Sequence, residues 1–334
     1  MVDVARHAGV SLKTVSRVIN SAPHVQQALV DRVLTSADEL GFRRNRLAST
    51  LRSGQLTATI GLLIEEIANP FYATIAGVAA DVARAHDTLL ITASSEEDPE
   101  REAQLLRDLC SRRVDGLIVV AAGHDQTFLR AEVEMGIPVV LLDRPAGGLV
   151  ADTVLLDNRG GSRAGVRSLL DEGHRRIGFL LDSLTVYTMR ERLSGAKDAL
   201  RGARLPFDRT LVREGVGDPA AAAQAVADLL RLPDPPTALF CLNNRITVGA
   251  VEELYRQDSD LGLVGFDDFE LSHLMPRPFR VIAYDTREMA RQAAELLFER
   301  IAGRVTDAVT VTLPTQLVAR GLPAHPSFRR GRDG

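Results

Sequence analysis

The chain has 334 residues, 45% hydrophobic and 25% charged, with 26 Gly and 15 Pro; that is ordinary globular composition for about two domains and excludes a disordered or collagen-like chain. No apolar run approaches the roughly 18 residues of a membrane span, no signal-peptide core follows Met1, and two cysteines, Cys110 and Cys241, make neither a disulfide framework nor a four-ligand zinc site. The net charge of −4 is uneven: residues 1–60 hold eight Lys/Arg against four acids and the rest carries −8, so a basic head on an acidic body points to an anionic partner for the head alone.

Residues 1–42 read as three short helices without a strand. The first, 2–8, ends at the turn Ala8-Gly9-Val10. Ser11 caps a second that runs to about Asn20, and a third spans about 26–40 before Gly41. Val4, Ala8, Val15, Val18 and Ile19 face inward, which leaves Leu12, Lys13, Ser16 and Arg17 on the outer face. Small Ala5 and Gly9 permit the close crossing of a helix-turn-helix; spacing alone fits a generic three-helix module as well.

From Thr59 the pattern alternates. TIGLLI (59–64), TLLITA (88–93), GLIVVA (116–121) and PVVLLD (138–143) are apolar strands, with amphipathic helices at 70–85 and 99–113 between them. Asp98-Pro99-Glu100 is a helix start: a cap, a proline at the first position, then an acid at the positive dipole end. RIGFLL (176–181), ALFCL (238–242) and LGLVGF (261–266) continue the strands, with helices near 159–172, 188–201, 219–231 and 246–257. Parallel strands joined by helical crossovers predict an α/β protein with two doubly wound lobes behind the small all-α head.

DVARHAGVSLKTVSRVIN (3–20) resembles the DNA-reading headpiece of the LacI/GalR repressor family almost position for position. NRLASTLRSG (45–54) is similar to its hinge helix and IGLLIEEIANPFY (60–72) to the start of its effector-binding core. RRVDGLIVVA, GIPVVLLDRP, LLDNRGGSRAG, GHRRIGFL, RLSGAKDAL and VGFDDF follow in family order, up to about Gly321. The resemblance implies a periplasmic-binding-protein-like core of two lobes. Its expected divisions are a headpiece at 1–44, a hinge and linker at 45–58, a first lobe at 59–157 plus 286–313, a second at 158–285 plus 314–322, and a flexible tail at 323–334. Relatives usually carry a few more residues before helix one, including a capping Thr or Ser, so the natural start is expected a few codons upstream.

The resemblance also assigns roles. Leu12 and Lys13 fall at the family's variable specificity positions, where Lys13 suits guanine O6/N7 and Leu12 a thymine methyl. Thr14, Ser16, Arg17 and Asn20 match its shared DNA-contacting positions, and Arg46 and Ala48 belong to the hinge. Leu51 matches the leucine that wedges into the central base step when two hinges pair in the minor groove; Leu47 lies one turn before it. Two helical turns are marginal alone, so that pairing is what stabilises the hinge. For the effector, the resemblance implies Phe71, Tyr72, Asp143, Arg192, Asn243, Asp267 and Tyr284 around the cleft, at the carboxyl ends of strands. Asp, Asn and Arg together supply the acceptors and donors that polyols need.

Three departures bear on the effector: Asn244 where relatives often have Asp, Leu181-Asp182-Ser183 in place of a Gly-rich stretch, and no Trp to stack on a sugar. His174 reads as structural, and His273 as a weaker cleft candidate. The expected function is a cytoplasmic, homodimeric repressor of carbohydrate-related genes, released from a palindromic operator by a sugar-like small molecule. A purine-type corepressor and a sugar-binding sensor without DNA function are the alternatives. No G-x-x-x-x-G-K-[ST], G-x-S-x-G, H-E-x-x-H or G-x-G-x-x-G motif is present, so neither catalysis nor a metal or cofactor is expected, and no membrane partner.

Overall fold

In the N-terminal unit, Met1–Thr57, the described residues form three helices: α1 (Val2–His7), α2 (Leu12–Ile19) and α3 (Gln27–Glu39). Glycine ends two of them. Gly9 and Gly41 take φ of +60° and +58°, and the chain then folds two N–H groups back onto the last turn. Val10 donates to Ala5 at 3.0 Å and Gly9 to Arg6 at 3.3 Å; Phe42 donates to Ala37 at 2.7 Å and Gly41 to Asp38 at 2.9 Å. Ser11 Oγ accepts the Thr14 N–H at 3.1 Å and so caps α2. A miniature core of Val4, Ala8, Val15, Val18 and Val33, with Ile19, Val30 and Phe42 against it, holds helices too short to persist alone.

The computed structural model describes residues 1–19, 25–42, 56–145, 147–304 and 307–322. The expected hinge helix at 45–54, with Arg46, Ala48 and Leu51, lies outside the described residues, as do Asn20 and the tail at 323–334.

The second unit, Ala58–Gly334, contains two six-stranded sheets. The first is built from β1 (Thr59–Ile64), β2 (Leu89–Ser94), β3 (Leu117–Val119), β4 (Val139–Leu142), β5 (Asp152–Leu156) and β11 (Thr310–Leu313), in the order β11-β5-β4-β3-β1-β2 and parallel throughout. The second takes β6 (Ile177–Leu180), β7 (Val212–Arg213), β8 (Ala238–Cys241), β9 (Gly262–Phe266), β10 (Phe279–Ala283) and β12 (Gln316–Arg320), in the order β12-β10-β9-β8-β6-β7, with only β12 antiparallel.

Helices cover both faces of each sheet. On the first, α4 (Pro70–Ala85) and α11 (Thr286–Ile301) bury Ile75, Ala79, Met289 and Leu297 against Ile60, Leu62 and Val140, while α5 (Pro99–Ser111) covers the other face through Leu106 and Leu109; α6 (Arg130–Glu134) is a short turn before β4. On the second sheet α7 (Asn158–Asp171) and α8 (Tyr187–Gly202) pack one face, and α9 (Pro219–Leu230) and α10 (Asn244–Arg256) the other. Each fully buried Leu, Ile or Phe contributes about 1.5–3 kcal/mol. Asp98 caps α5 as the sequence predicts, accepting the Glu100 N–H at 2.8 Å with Pro99 at the first position. The chain passes between lobes three times, from β5 to α7, from β10 to α11 and from β11 to β12.

Two features differ from the sequence reading. The strand expected at 116–121 is only Leu117–Val119, and just beyond it the Ala122 and Gly123 N–H groups donate to the buried Glu102 carboxylate at 2.9 and 2.7 Å. Strands β5, β7, β10, β11 and β12 are not among those read from the sequence, and β5 carries a buried charge: Asp152 is held by the Arg300 guanidinium at 2.6 and 2.8 Å and the Val309 N–H at 2.8 Å.

Candidate functional site

On α2, Leu12, Lys13 and Arg17 are exposed, while Thr14 and Ser16 are half-buried. Val15, Val18 and Ile19 turn toward the miniature core, so the face bearing Leu12, Lys13 and Arg17 is what the helix offers to solvent. Its opening turn is fixed by Ser11, whose Oγ also lies 2.9 Å from Thr14 Oγ1.

Within the second unit a cleft of about 580 Å³ of atom-free space lies between the two sheets' carboxyl ends. Phe71, Tyr72, Asp143, Arg192, Asn243, Asp267 and Tyr284 all line it. The fold brings them together because all but Arg192, which comes from the second turn of α8, follow a strand or start a helix at that end of their sheet. His273 is exposed and not among the lining residues, and His174 is tied to Thr237 through Nδ1 at 3.0 Å.

On the second lobe, Arg192 is buried. Its Nη1 and Nη2 fork onto the two oxygens of Asp267 at 3.0 and 3.1 Å. Its Nε donates to Asn158 Oδ1 at 2.8 Å, Nη1 also donates to the Leu242 carbonyl at 2.7 Å, and its Cζ sits 3.8 Å from the Phe266 ring centroid. The Tyr284 hydroxyl donates to Asp267 Oδ1 at 2.8 Å. Arg192 is therefore the group that orients Asp267, and Asp267 is the carboxylate that the wall presents. Asn243 is drawn two ways: it lines the cleft, but its Oδ1 caps α10 by accepting the Ile246 N–H at 2.8 Å, leaving its amide NH₂ to face a ligand.

On the first lobe, Asn69 caps α4, accepting the Phe71 N–H at 3.1 Å. That fixes Phe71 and Tyr72 in the first helical turn. Tyr72 is also plain core, buried among Ile75 and Leu62, with its hydroxyl donating to Glu65 Oε2 at 2.6 Å. Phe71 meets Tyr72 and Tyr284 edge to face, at 4.9 and 6.0 Å between centroids. Asp143, directly after β4, is buried at φ +66°, and its Oδ1 has no hydrogen-bond partner. Burial raises its pKa, with Arg144 and Arg192 opposing.

The sequence reading did not single out a second charged group beside Asp143. Arg144 is buried and donates through Nη1 to the Ala121 carbonyl at 3.0 Å and through Nη2 to Glu65 at 2.6 Å and to Glu97 at 2.5 Å. Burial, reinforced by the neighbouring Glu65, pushes the Glu97 carboxyl up to about 8 despite Arg144. Glu65 goes the other way: burial is outweighed by its hydrogen bond with Glu97, the Arg144 charge and the Tyr72 hydroxyl, and its pKa is lowered. The two carboxyls on this one guanidinium are thus driven in opposite directions. Its signal in the sequence is a charge directly after an apolar parallel strand, Glu65 after TIGLLI and Arg144 after PVVLLD.

Besides the Phe71–Tyr284 ring contact, two polar side-chain pairs bridge the lobes at the cleft mouth. Asn244 Nδ2 donates to Asn69 Oδ1 at 3.2 Å, and Arg245 pairs with Glu66. The residue that departs from the usual Asp is therefore part of a neutral hydrogen bond across the cleft mouth.

Residues 57–320 match the family model described as periplasmic binding proteins and sugar binding domain of LacI family, and residues 1–45 match that of bacterial regulatory proteins, lacI family. The ribose operon repressor of Haemophilus influenzae is 31% identical over 96% of this chain and 97% of its own length. The HTH-type transcriptional repressor PurR of Aliivibrio salmonicida is 29% identical over 95% and 97%. Among solved structures, the Lac repressor dimer bound to operator and the anti-inducer ONPF superposes with a TM-score of 0.82 at 26% identity, covering 95% of this chain and 96% of that one. Among the described residues no helix is long and apolar enough to cross a membrane.

Proposed function

The chain belongs to the LacI family of bacterial regulatory proteins, and from that premise we propose a homodimeric transcriptional repressor that leaves a palindromic operator when a sugar-like molecule fills the cleft. DNA is bound by the headpiece and the effector by the two-lobed core. The observation that carries the reading is the pairing of an exposed polar face on α2 with a cleft whose buried Asp143 acceptor lacks a donor. On this reading the protein is a cytoplasmic regulator and not an enzyme, and its genes serve carbohydrate use.

A two-fold operator calls for a two-fold protein. Support for a second copy comes from an apolar face on α10, where Val248, Val251 and Tyr255 flank Met275 and Leu263 in a groove open to solvent. Tyr255→Glu should therefore give a monomer by light scattering.

The first lobe leads into the linker through Thr57 and Ala58. Effector contacts from both lobes favour the lobe geometry that they fit, and strain passed to a marginal hinge helix withdraws Leu51 from the groove. Coupling of about 1–3 kcal/mol, roughly 5–150-fold, is reciprocal, so operator DNA weakens effector binding by the same factor. A salt-dependent gel shift on the protein's own upstream region, with release but no turnover of the ligand, tests the reading. Leu51→Ala should lose specific operator affinity while keeping effector affinity. Asp267→Ala should hold the operator and fail to respond; normal release by that variant would refute the mechanism.

A further inference from the structure

The walls of the cleft do not balance in charge. Glu65, Glu97, Asp143, Asp182 and Asp267 line it against Arg144, Arg192 and Arg245. Each guanidinium is already engaged: Arg192 by Asp267, Arg144 by Glu65 and Glu97, and Arg245 by Glu66. With Glu66 counted, six carboxyl groups meet three arginines. Burial pushes Glu97 up to about 8, so it holds a proton at neutral pH, and the formal excess is two negative charges. Arg190, in the adjoining space past Val186, leaves the sign unchanged; its Nη1 donates to the Leu184 and Thr185 carbonyls at 3.2 and 2.7 Å.

The excess sits on Asp143 and Asp182. Asp143 is buried, its Oδ1 has no hydrogen-bond partner, and its ion-pair contact is Arg144 Nε at 3.8 Å, too long for a hydrogen bond. Asp182 is half-buried just after β6 and makes no ion pair among the described residues. Burial raises the pKa of both, more than the nearby arginines lower it. One stands on each lobe, so a single cation in the cleft neutralises both walls.

A buried carboxylate without a cation is costly, and an ammonium group relieves it by charge and by hydrogen bonding together. Phosphate and carboxylate ligands would add to the excess and would find every arginine fork of the cleft occupied. Two donors still need acceptors. Arg144 Nε is buried without a partner, and the Asn243 amide NH₂ is left over from capping α10. Hydroxyl oxygens beside an ammonium group meet that need.

We propose that the effector is a cationic amine carried on a polyol, an amino sugar, with its ammonium on Asp143 and Asp182 and its hydroxyls on Arg144 Nε and Asn243. This rests on the effector-binding reading above and adds the ligand's charge to it. The full chain without DNA is titrated by calorimetry with glucosamine, galactosamine and mannosamine. Each is set beside its neutral parent hexose and its N-acetyl derivative, with glucose 6-phosphate as the anionic member. At least one amine should bind about tenfold or more tightly than its parent and its N-acetyl derivative, and glucose 6-phosphate should not bind. Asp143→Asn keeps the shape and removes the charge, so it should weaken that amine at least about tenfold and change the parent by less than about threefold. Asp182→Asn should act in the same direction with a smaller loss, because Asp182 is less buried. The proposal is overturned by a neutral or phosphorylated compound that binds as tightly as the amines, by a panel in which no amine binds, or by an Asp143→Asn variant that weakens amine and parent alike. The panel needs no variant, so it decides even where a substitution unsettles the fold. An amine that binds as expected but does not release the operator in the gel shift would overturn the repressor reading and leave this one standing. Release by a neutral sugar alone would do the reverse.

Discussion

Each lobe ends a strand in the same way and finishes it differently. Asp143 after β4 and Asp267 after β9 both adopt left-handed φ, +66° and +68°. Both donate their N–H to the neighbouring strand, to Val154 at 2.8 Å and Ile282 at 3.0 Å. Asp267 then receives a two-pronged arginine and a tyrosine hydroxyl, whereas Asp143 has only Arg144 Nε at 3.8 Å and one oxygen without a partner. A strained, buried carboxylate persists only where its surroundings support it. One of the two is thus an anchor within the protein, and the other awaits a donor from outside.

The largest expected effect tests the anchor. Arg192→Ala leaves Asp267 unpaired in a largely buried site and should cost about 3–5 kcal/mol in urea unfolding. Arg192→Lys, which keeps the charge and loses the fork, should fall between. A loss below about 1 kcal/mol for the alanine variant would remove the distinction between the lobes.

Asp143→Asn sharpens the comparison from the other side. Because no internal donor is lost, stability should change by less than about 1 kcal/mol. Effector affinity should fall about 10- to 100-fold, the worth of a hydrogen bond to a charged group of about 1.5–3 kcal/mol. Calorimetry beside chemical denaturation reads both.

The smallest effect concerns the proton beside Asp143. Glu97 is pushed up to about 8 by burial, so the folded state binds that proton more tightly than the unfolded chain. Its stability contribution is complete below the ordinary carboxyl range and is lost as pH rises through about 8. Glu65, held low, acts only at the acid end. Stability measured from pH 5 to 9 should decline less steeply in Glu97→Gln than in the unmodified protein. Parallel curves would show that the Glu97 proton has no weight.

The two-lobed fold was legible because apolar strands and helices alternate from β1 to β4 and again from β6 to β9. Asp143 and Asp267 were legible for the same reason: each follows an apolar strand, where parallel sheets put their sites. The pairing was not legible. Arg192 stands on a helix far from Asp267 in the chain, and no spacing announces that one consumes the other's donors. Glu65, Glu97 and Arg144 come from three separate loops, each with another charged residue next to it. Asn243 shows the opposite limit, since a strand-end Asn reads equally as a ligand and as a helix cap, and its oxygen serves as the cap.

The three passages between lobes carry a consequence for synthesis. Neither sheet is a continuous stretch of chain. β5 emerges from the ribosome long before its partner β11 (Thr310–Leu313), and α11 (Thr286–Ile301), which covers one face of that sheet, comes only shortly ahead of β11. At about 5–20 residues per second the wait is on the order of 10–30 s. Throughout it the first lobe exposes an apolar face and an unpaired strand edge at β5. The vulnerable species in a cell is therefore the nascent chain between about residues 160 and 310, and chaperone occupancy should peak there.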